Sequence, residues 1–275
     1  MRDFSVGKSP LEENILEEIQ NVAEDLKKMK GAEITNLMKM MIKASCNVIH
    51  SLIFGYRYKH DNESLKKIIK TMDNIFSGPG SLSASELFPV LNFIMKDNLK
   101  VRREGLSILK KYIEKHITEH RESFDPENIR DFIDMYLVAE KEESERKSVM
   151  IPAALLTSII DLFAAGTDTT ATTFDWSFLW MIQYPDVQKR MVRLSDRRHL
   201  SYTEATLMEI QRLSNTCPRI CPGESLARSE LFLIFSNLLH RFEFSKVDPD
   251  DILSFEGITT VTTSLSPYRL KAELR

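Results

Sequence analysis

A mainly α fold with a small C-terminal β element is what this sequence predicts, and three observations carry the prediction. Glycine and proline are scarce, at 9 and 10 of 275 residues, which argues against a turn-rich sandwich. Apolar residues recur at three- and four-residue spacing through most of the chain. The alternation of apolar and polar residues that marks strands starts only at Phe242. A content of 43% hydrophobic and 28% charged residues describes a globular chain, not a disordered one. Lys+Arg 37 against Asp+Glu 40 leaves a net charge of −3, so no basic field points to nucleic acid.

The elements follow in order. Ser9-Pro10 before Glu12 and Glu13 reads as a helix start, with proline and acids where the first turn tolerates or favours them. Leu11, Ile15, Ile19, Val22, Leu26 and Met29 then form one stripe, up to Lys30-Gly31. A second helix carries Leu37, Met38, Met41, Ile42, Val48, Ile49 and Leu52 and stops near Gly55. A third carries Leu65, Ile68, Ile69, Met72, Ile75 and Phe76, and Ser77–Ser81 is a loop. From Asn98 to Arg121, Leu106, Leu109, Ile113 and Ile117 share one helix face. Lys96, Lys100, Lys110, Lys111 and Lys115 make the other face basic, either a solvated surface or a docking face for an acidic partner or membrane. A helix begins at Asp131–Val138 and ends in the charged run 140–147.

Pro152 to Tyr184 reads as one long helix, stopped by Pro185 and roughly 50 Å long. Both its flanks are apolar almost all round, which predicts burial. Shorter helices follow over 203–213 and 222–240. Phe242 and Phe244, the β-branched run 258–263, and Tyr268 with Leu270 are the strand signals. The apolar run 151–166 is broken by Thr157, Ser158 and Asp161, too short and polar for a span of about 20 residues. The first residues lack the apolar core of a signal peptide, so no targeting or membrane segment is expected. The cysteines are Cys46, Cys217 and Cys221, too few for a disulfide framework, which points to a reducing compartment.

Three places could carry chemistry. The middle of the long helix reads Ala164-Ala165-Gly166-Thr167-Asp168-Thr169-Thr170-Ala171-Thr172-Thr173. Glycine and hydroxyl residues are poor helix interiors, and threonine can bond back to a carbonyl four residues earlier and bend or open the helix. Ala165 and Gly166 leave room for a flat group or for a closely packed helix, and Thr169 shares their face. The second place is Arg219-Ile220-Cys221-Pro222-Gly223-Glu224, where Pro222 opens a helix and Cys221 sits at its cap. A thiol there faces unpaired N–H groups and a positive helix end, beside Arg219. It could be a nucleophile, a metal ligand, a redox thiol or an ordinary half-buried cysteine. The third place is Glu209 and Arg212, an i,i+3 ion pair that says little alone. Cys217 and Cys221 have no second Cys/His pair for zinc, and His116 and His120 lie on a charged helix, so neither pair reads as a metal motif.

Together and in this order, the three places resemble the cytochrome P-450 family of haem-thiolate monooxygenases. The distal-helix pattern [A/G]-G-x-[D/E]-T-[T/S] stands as Ala165-Gly166-Thr167-Asp168-Thr169-Thr170, E-x-x-R as Glu209 to Arg212, and the cysteine loop as residues 219–223. Arg130-Asp131-Phe132-Ile133-Asp134 and Tyr202-Thr203-Glu204-Ala205 look like its microsomal family-2 group. The resemblance implies a single, partial domain over 1–275. It implies haem b ligated through iron by Cys221, with Arg219 pairing a propionate. Gly223 would let the loop lie close under the porphyrin, and Ala165 and Gly166 would border its distal face. Asp168 and Thr169 would relay protons through water at the opened helix. Glu209 and Arg212 would be a structural pair beneath the haem. Ile160, Phe163 and Ala164 would line the substrate pocket, with Thr262 and Thr263 as further candidates. The implied reaction inserts one oxygen atom of O2 into an apolar small molecule, with electrons from an NADPH-dependent reductase at the endoplasmic reticulum membrane.

The sequence departs from the family pattern in three parts. The likeness starts near the family's third helix, so the membrane anchor, the first helices and an early Trp/Arg propionate pair are expected to be absent. A connector is shortened between Met191 and Leu194. Only residues 213–220 separate Arg212 from Cys221, a span of at most roughly 32 Å where the family has several dozen residues. Asn215-Thr216-Cys217-Pro218 stands where the family has its Phe and Gly before the arginine. Skipped exons or a faulty gene model would explain such breaks. The rival expectation is a catalytically dead interaction protein that binds partners of the full-length enzyme, the reductase included, through the basic 96–121 helix. A redox dithiol from Cys217 and Cys221 is the third.

Overall fold

The computed structural model describes residues 9–35, 37–76, 96–145, 152–194, 200–214, 221–259 and 262–275. Its helices are α1 (Ser9–Met29), α2 (Leu37–Phe54), α3 (Glu63–Phe76), α4 (Lys96–Glu122), α5 (Phe132–Glu145), α6 (Pro152–Gln183), α7 (Pro185–Leu194), α8 (Leu200–Ser214) and α9 (Glu224–Arg241). The strands are β1 (Phe242–Lys246), β2 (Gly257–Thr259), β3 (Thr263–Leu265) and β4 (Leu270–Leu274). The mainly α expectation holds, with the β structure confined to the C-terminal end. The chain divides into two compact units, Met1–Ser45 with Gly166–Arg275, and Cys46–Ala165.

In the first unit, α1 buries Ile15, Ile19, Val22 and Leu26 and packs on α9. Each such side chain contributes about 1.5–3 kcal/mol when fully buried. Gly31 ends this segment at φ +74, a left-handed value that glycine adopts without strain. β1 pairs antiparallel with β4, Phe242 opposite Leu274 and Phe244 opposite Ala272. Ile34 joins the other side of β4 through two backbone hydrogen bonds with Leu270, of 2.8 and 3.1 Å. The free edge of β1 is capped by a side chain. Buried Gln188 of α7 donates to the Phe244 carbonyl and accepts from its N–H, both at 2.9 Å. Phe244, with Phe178 and Phe235, fills the space beneath.

The β-branched run 258–263 is not one strand: Ile258 and Thr259 lie in β2, and Thr263 opens β3. β2 pairs with β3, Ile258 opposite Ser264. Gly257 permits its close approach, since a Cβ there would lie 2.2 Å from Thr263 Cγ2. The Trp176 indole of α6 donates to the Thr263 carbonyl at 2.8 Å and seats the hairpin on that helix. Tyr268 precedes β4 and donates its hydroxyl to Asp175 Oδ1 at 2.9 Å. Burial pushes Asp175 up to about 6, and the Tyr268 hydrogen bond works against that rise.

In the second unit, α3 packs on α4, and α4 on α5. α4 meets the apolar stripe read from the sequence, with Leu109 and Ile113 buried. Lys100, Lys110, Lys111 and Lys115 are solvent-facing and partly neutralised along the helix, Lys110 by Glu114 at 3.7 Å and Lys115 by Glu119 at 3.6 Å. α5 runs to Glu145 and so ends within the charged run 140–147, as expected. Gly55, at φ +77, closes α2 where a Cβ would stand 2.9 Å from Asp131 Oδ2. α2 is long and apolar enough to cross a membrane, the one such helix among the described residues, but 78% of it is buried. It also buries Ser45, Asn47 and His50, which marks it as a core helix. The Ser77–Ser81 loop lies outside the described residues.

Candidate functional site

The long helix runs unbroken through its Gly and Thr residues. The expected opening is not present, although the back-bonding that could bend the helix is. Thr173 Oγ1 donates to the Thr169 carbonyl at 2.8 Å and Ser177 Oγ to the Thr173 carbonyl at 2.7 Å. Burial all round holds only for 170–179. The first half of α6 has one buried side, at Leu155, Ile159, Phe163 and Thr167, and one exposed side, at Ala154, Thr157, Asp161 and Ala165. Those exposed residues are small or polar, so no apolar bulk is left uncovered there. Gly166, Asp168 and Thr169 are half-buried. Thr167 is buried, and its hydroxyl has no hydrogen-bond partner among the described residues.

Asp168 has a partner that spacing could not reveal. Thr262, beside β3, donates its hydroxyl to Asp168 Oδ2 at 2.7 Å. The sequence reading placed Thr262 near the pocket but not on this acid, 94 positions away. Thr263 is turned to another task, its carbonyl accepting from Trp176. Ile160 and Ala164 are half-buried, whereas Phe163 is wholly buried in the second unit. Its ring packs 5.8 Å from Phe54 and 6.1 Å from His50.

Cys221 is a free, half-buried thiol just ahead of α9. The helix begins two residues later than its proline suggested. Gly223 is the N-cap, since its carbonyl accepts from Ala227 N at 2.9 Å. Cys221 therefore precedes the cap, and its carbonyl accepts from Glu224 N at 3.2 Å to close a tight turn. Gly223 has an ordinary φ of −93. Among the described residues, a Cβ there would meet only Cys221 Sγ, at 3.9 Å. Nothing within the described chain thus requires glycine at 223. Arg219 and Cys217 lie outside the described residues.

Glu209 and Arg212 form a bidentate pair at 2.6 and 2.7 Å. Their side chains are 54% and 68% exposed. The hydrogen bond to Arg212 holds Glu209 below the usual glutamate value. Arg130 binds Asp134 in the same two-pronged manner, and His120 meets Asp131 at 2.7 Å. His120, Asp131 and Asp134 lie close enough to hold an ion. The guanidinium already satisfies Asp134, so the cluster is an ion-pair network. The hydrogen bond to Asp131 raises His120 above the ordinary histidine value.

The sequence pattern of the cytochrome P450 family matches residues 1–219 and 215–272. This chain belongs to the cytochrome P450 family. It is 30% identical to cytochrome P450 2B4 of Oryctolagus cuniculus over 339 positions, covering 92% of this chain and 69% of the relative. It is 31% identical to cytochrome P450 2B15 of Rattus norvegicus, over 98% of this chain and 60% of the relative. Cytochrome P450 2J5 of Mus musculus is 27% identical over 99% of this chain and 70% of its own length. The chain thus spans between 60% and 70% of these relatives. An alignment of 339 positions that covers 92% of a 275-residue chain leaves several dozen positions of the rabbit protein without a counterpart here. That agrees with the internal losses read from the sequence. The family's cofactor is haem, and the residues present suit its ligation in donor chemistry, with a free thiol next to an uncrowded glycine.

Proposed function

We propose that this chain carries the haem-thiolate centre of a monooxygenase, with Cys221 as the sulfur ligand. The observation that carries the reading is the free, half-buried Cys221 thiol beside Gly223, where among the described residues a side chain would meet only that thiol. Haem b, bound through a thiolate, supplies an electron-rich iron that favours O–O cleavage. Arg219 pairs with a propionate, while Gly223, Gly166 and Ala165 leave room for the flat group. Asp168 and Thr169 pass protons inward, and the hydrogen bond from Thr262 holds the Asp168 carboxylate in place. The substrate class is an apolar small molecule, oxidised with O2 and electrons from an NADPH-dependent reductase at the endoplasmic reticulum membrane.

A second reading, a non-catalytic interaction protein, is favoured by two specific features. The chain between Arg212 and Cys221 is short, and the Glu209–Arg212 pair, expected beneath the haem, is solvent-exposed. The test is the carbon monoxide difference spectrum of the reduced, haem-supplied chain. A thiolate-type band in the wild type that vanishes in Cys221→Ala supports the monooxygenase centre. A band unchanged in the variant refutes Cys221 as ligand. No band from a chain with native helical circular dichroism favours the second reading, and salt-sensitive capture of the reductase then checks it.

A further inference from the structure

The second unit holds a phenol and a base that the haem chemistry does not use. The base is His50 of α2, which is wholly buried. Its Nδ1 lies 2.8 Å from the Tyr56 carbonyl, which can only accept, so Nδ1 carries a proton. Burial lowers His50 to about 4, so the ring is neutral near neutrality and Nε2 keeps its lone pair. The phenol is Tyr112 of α4, whose oxygen lies 2.7 Å from Nε2 and therefore donates to it. Two further phenols reach the Tyr112 oxygen, Tyr58 Oη at 2.9 Å and Tyr56 Oη within hydrogen-bond range. Because the Tyr112 proton is committed to His50, Tyr58 donates the link between them.

The surroundings decide what such a pair can do. The His50 ring sits 4.7 Å from each of the Phe54, Tyr56 and Tyr58 rings. Tyr112 lies 5.7 Å from Phe54 and 4.5 Å from His116. Tyr112 is only half-buried and lines an open cavity of about 780 Å³. A small soluble molecule therefore reaches the Tyr112 ring but not the wholly buried His50. Burial, with the two neighbouring phenols, pushes the Tyr112 hydroxyl far above its ordinary value, so it does not ionise near neutrality. A phenol that has lost an electron is a strong acid, so the electron leaves easily only where a base already holds the proton. Even lowered by burial, the His50 nitrogen is a far stronger base than the oxygen of an oxidised phenol.

We propose that Tyr112 is a redox-active tyrosine, which gives an electron to a strong one-electron oxidant entering the cavity, such as an oxygen-centred radical, while His50 takes its proton. The oxidant gains one electron and becomes its anion. The Tyr112 O–H bond breaks, and an N–H bond forms at His50 Nε2. A neutral phenoxyl radical remains, with Tyr58 still donating to its oxygen. The imidazolium is held between that oxygen and the Tyr56 carbonyl. When a reductant returns the electron, the proton goes back across the same 2.7 Å. The burial of His50 keeps the proton at hand for that return. The pair stands apart from the haem reading, since all its groups lie in the second unit.

The test is electron paramagnetic resonance of the full chain without added haem, frozen after a flash with tris(bipyridine)ruthenium(II) and persulfate. The oxidant is kept limiting, so that the electron comes from the group that gives it most readily. The wild type gives a neutral tyrosyl signal. Tyr112→Phe loses it, whereas Tyr268→Phe, which removes the phenol bonded to Asp175, keeps it. His50→Gln leaves an acceptor at the phenol but no base, and the signal is lost there too. Placing 3-fluorotyrosine at position 112 keeps the hydroxyl and adds a fluorine splitting, which decides the site if Tyr112→Phe fails to fold. With ¹⁵N-labelled histidine the wild-type radical shows a nitrogen coupling through the shared proton, which decides the base if His50→Gln fails to fold. A signal that persists in folded Tyr112→Phe, or lacks the fluorine splitting, overturns the proposal. A signal unchanged in folded His50→Gln, or without nitrogen coupling, overturns the role of His50.

Discussion

Replacing Glu230 by Gln should stabilise the chain more at pH 7.5 than at pH 5. Glu230 of α9 is 1% exposed. Burial, with Glu18 of α1 as a lesser cause, raises its carboxyl from the ordinary 4.5 to about 8. The Ser45 hydroxyl pulls the other way, yet among the described residues neither Ser45 Oγ nor Glu230 Oε1 has a partner in good hydrogen-bond geometry. Near neutral pH the folded chain thus holds a proton that the unfolded chain has lost. For an acid raised in this way, stability is full below about pH 4.5 and is lost as pH rises towards 8, by about 1.4 kcal/mol per unit. Glutamine has the same shape and no such slope. The difference between Glu230→Gln and the wild type should therefore grow by about 3 kcal/mol between pH 5 and 7.5. Urea unfolding at both values measures it, and taking the change with pH cancels any packing difference between the two side chains. A difference that stays constant to within about 0.5 kcal/mol would refute the reasoning, because it would mean that Glu230 ionises normally in the fold.

Two further outcomes follow from packing. Gln188→Ala leaves the N–H and carbonyl of Phe244 buried without their partners, and a loss of about 2–4 kcal/mol is expected in denaturant unfolding; a loss under about 0.5 kcal/mol would mean water reaches that edge. Gly257→Ala sets a methyl 2.2 Å from Thr263 Cγ2, and about 1–3 kcal/mol should be lost. Thr263→Ser removes the clashing methyl and should restore most of that loss; no restoration would place the strain elsewhere.

The parts of this protein legible in the sequence were those governed by local rules. Helix stripes emerged because burial of one face recurs with the helical period, and Ile15, Ile19, Val22 and Leu26 are buried together as read. Gly31 and Gly55 stand at helix ends because only glycine takes a left-handed φ at little cost. The parts misread were those where two rules compete. Pro222 suggested a helix start, but the turn closed by Cys221 moves the cap to Gly223. The Gly and Thr residues of α6 suggested an opened helix, but the helix stays continuous with Thr173 bonded back to the Thr169 carbonyl.

By itself, the sequence determined the mainly helical class, the three ordered motifs and hence the family, because each rests on residue type and short spacing. Only the tertiary structure decided the partners. Thr262 reaches Asp168, Gln188 completes β1, and His50 closes on two tyrosines of its own turn and a third from α4. The contacts of Thr262, of Gln188 and of Tyr112 join residues more than 50 positions apart. Their polar groups are paired because burial makes an unpaired one costly, and which pair forms depends on how whole elements pack.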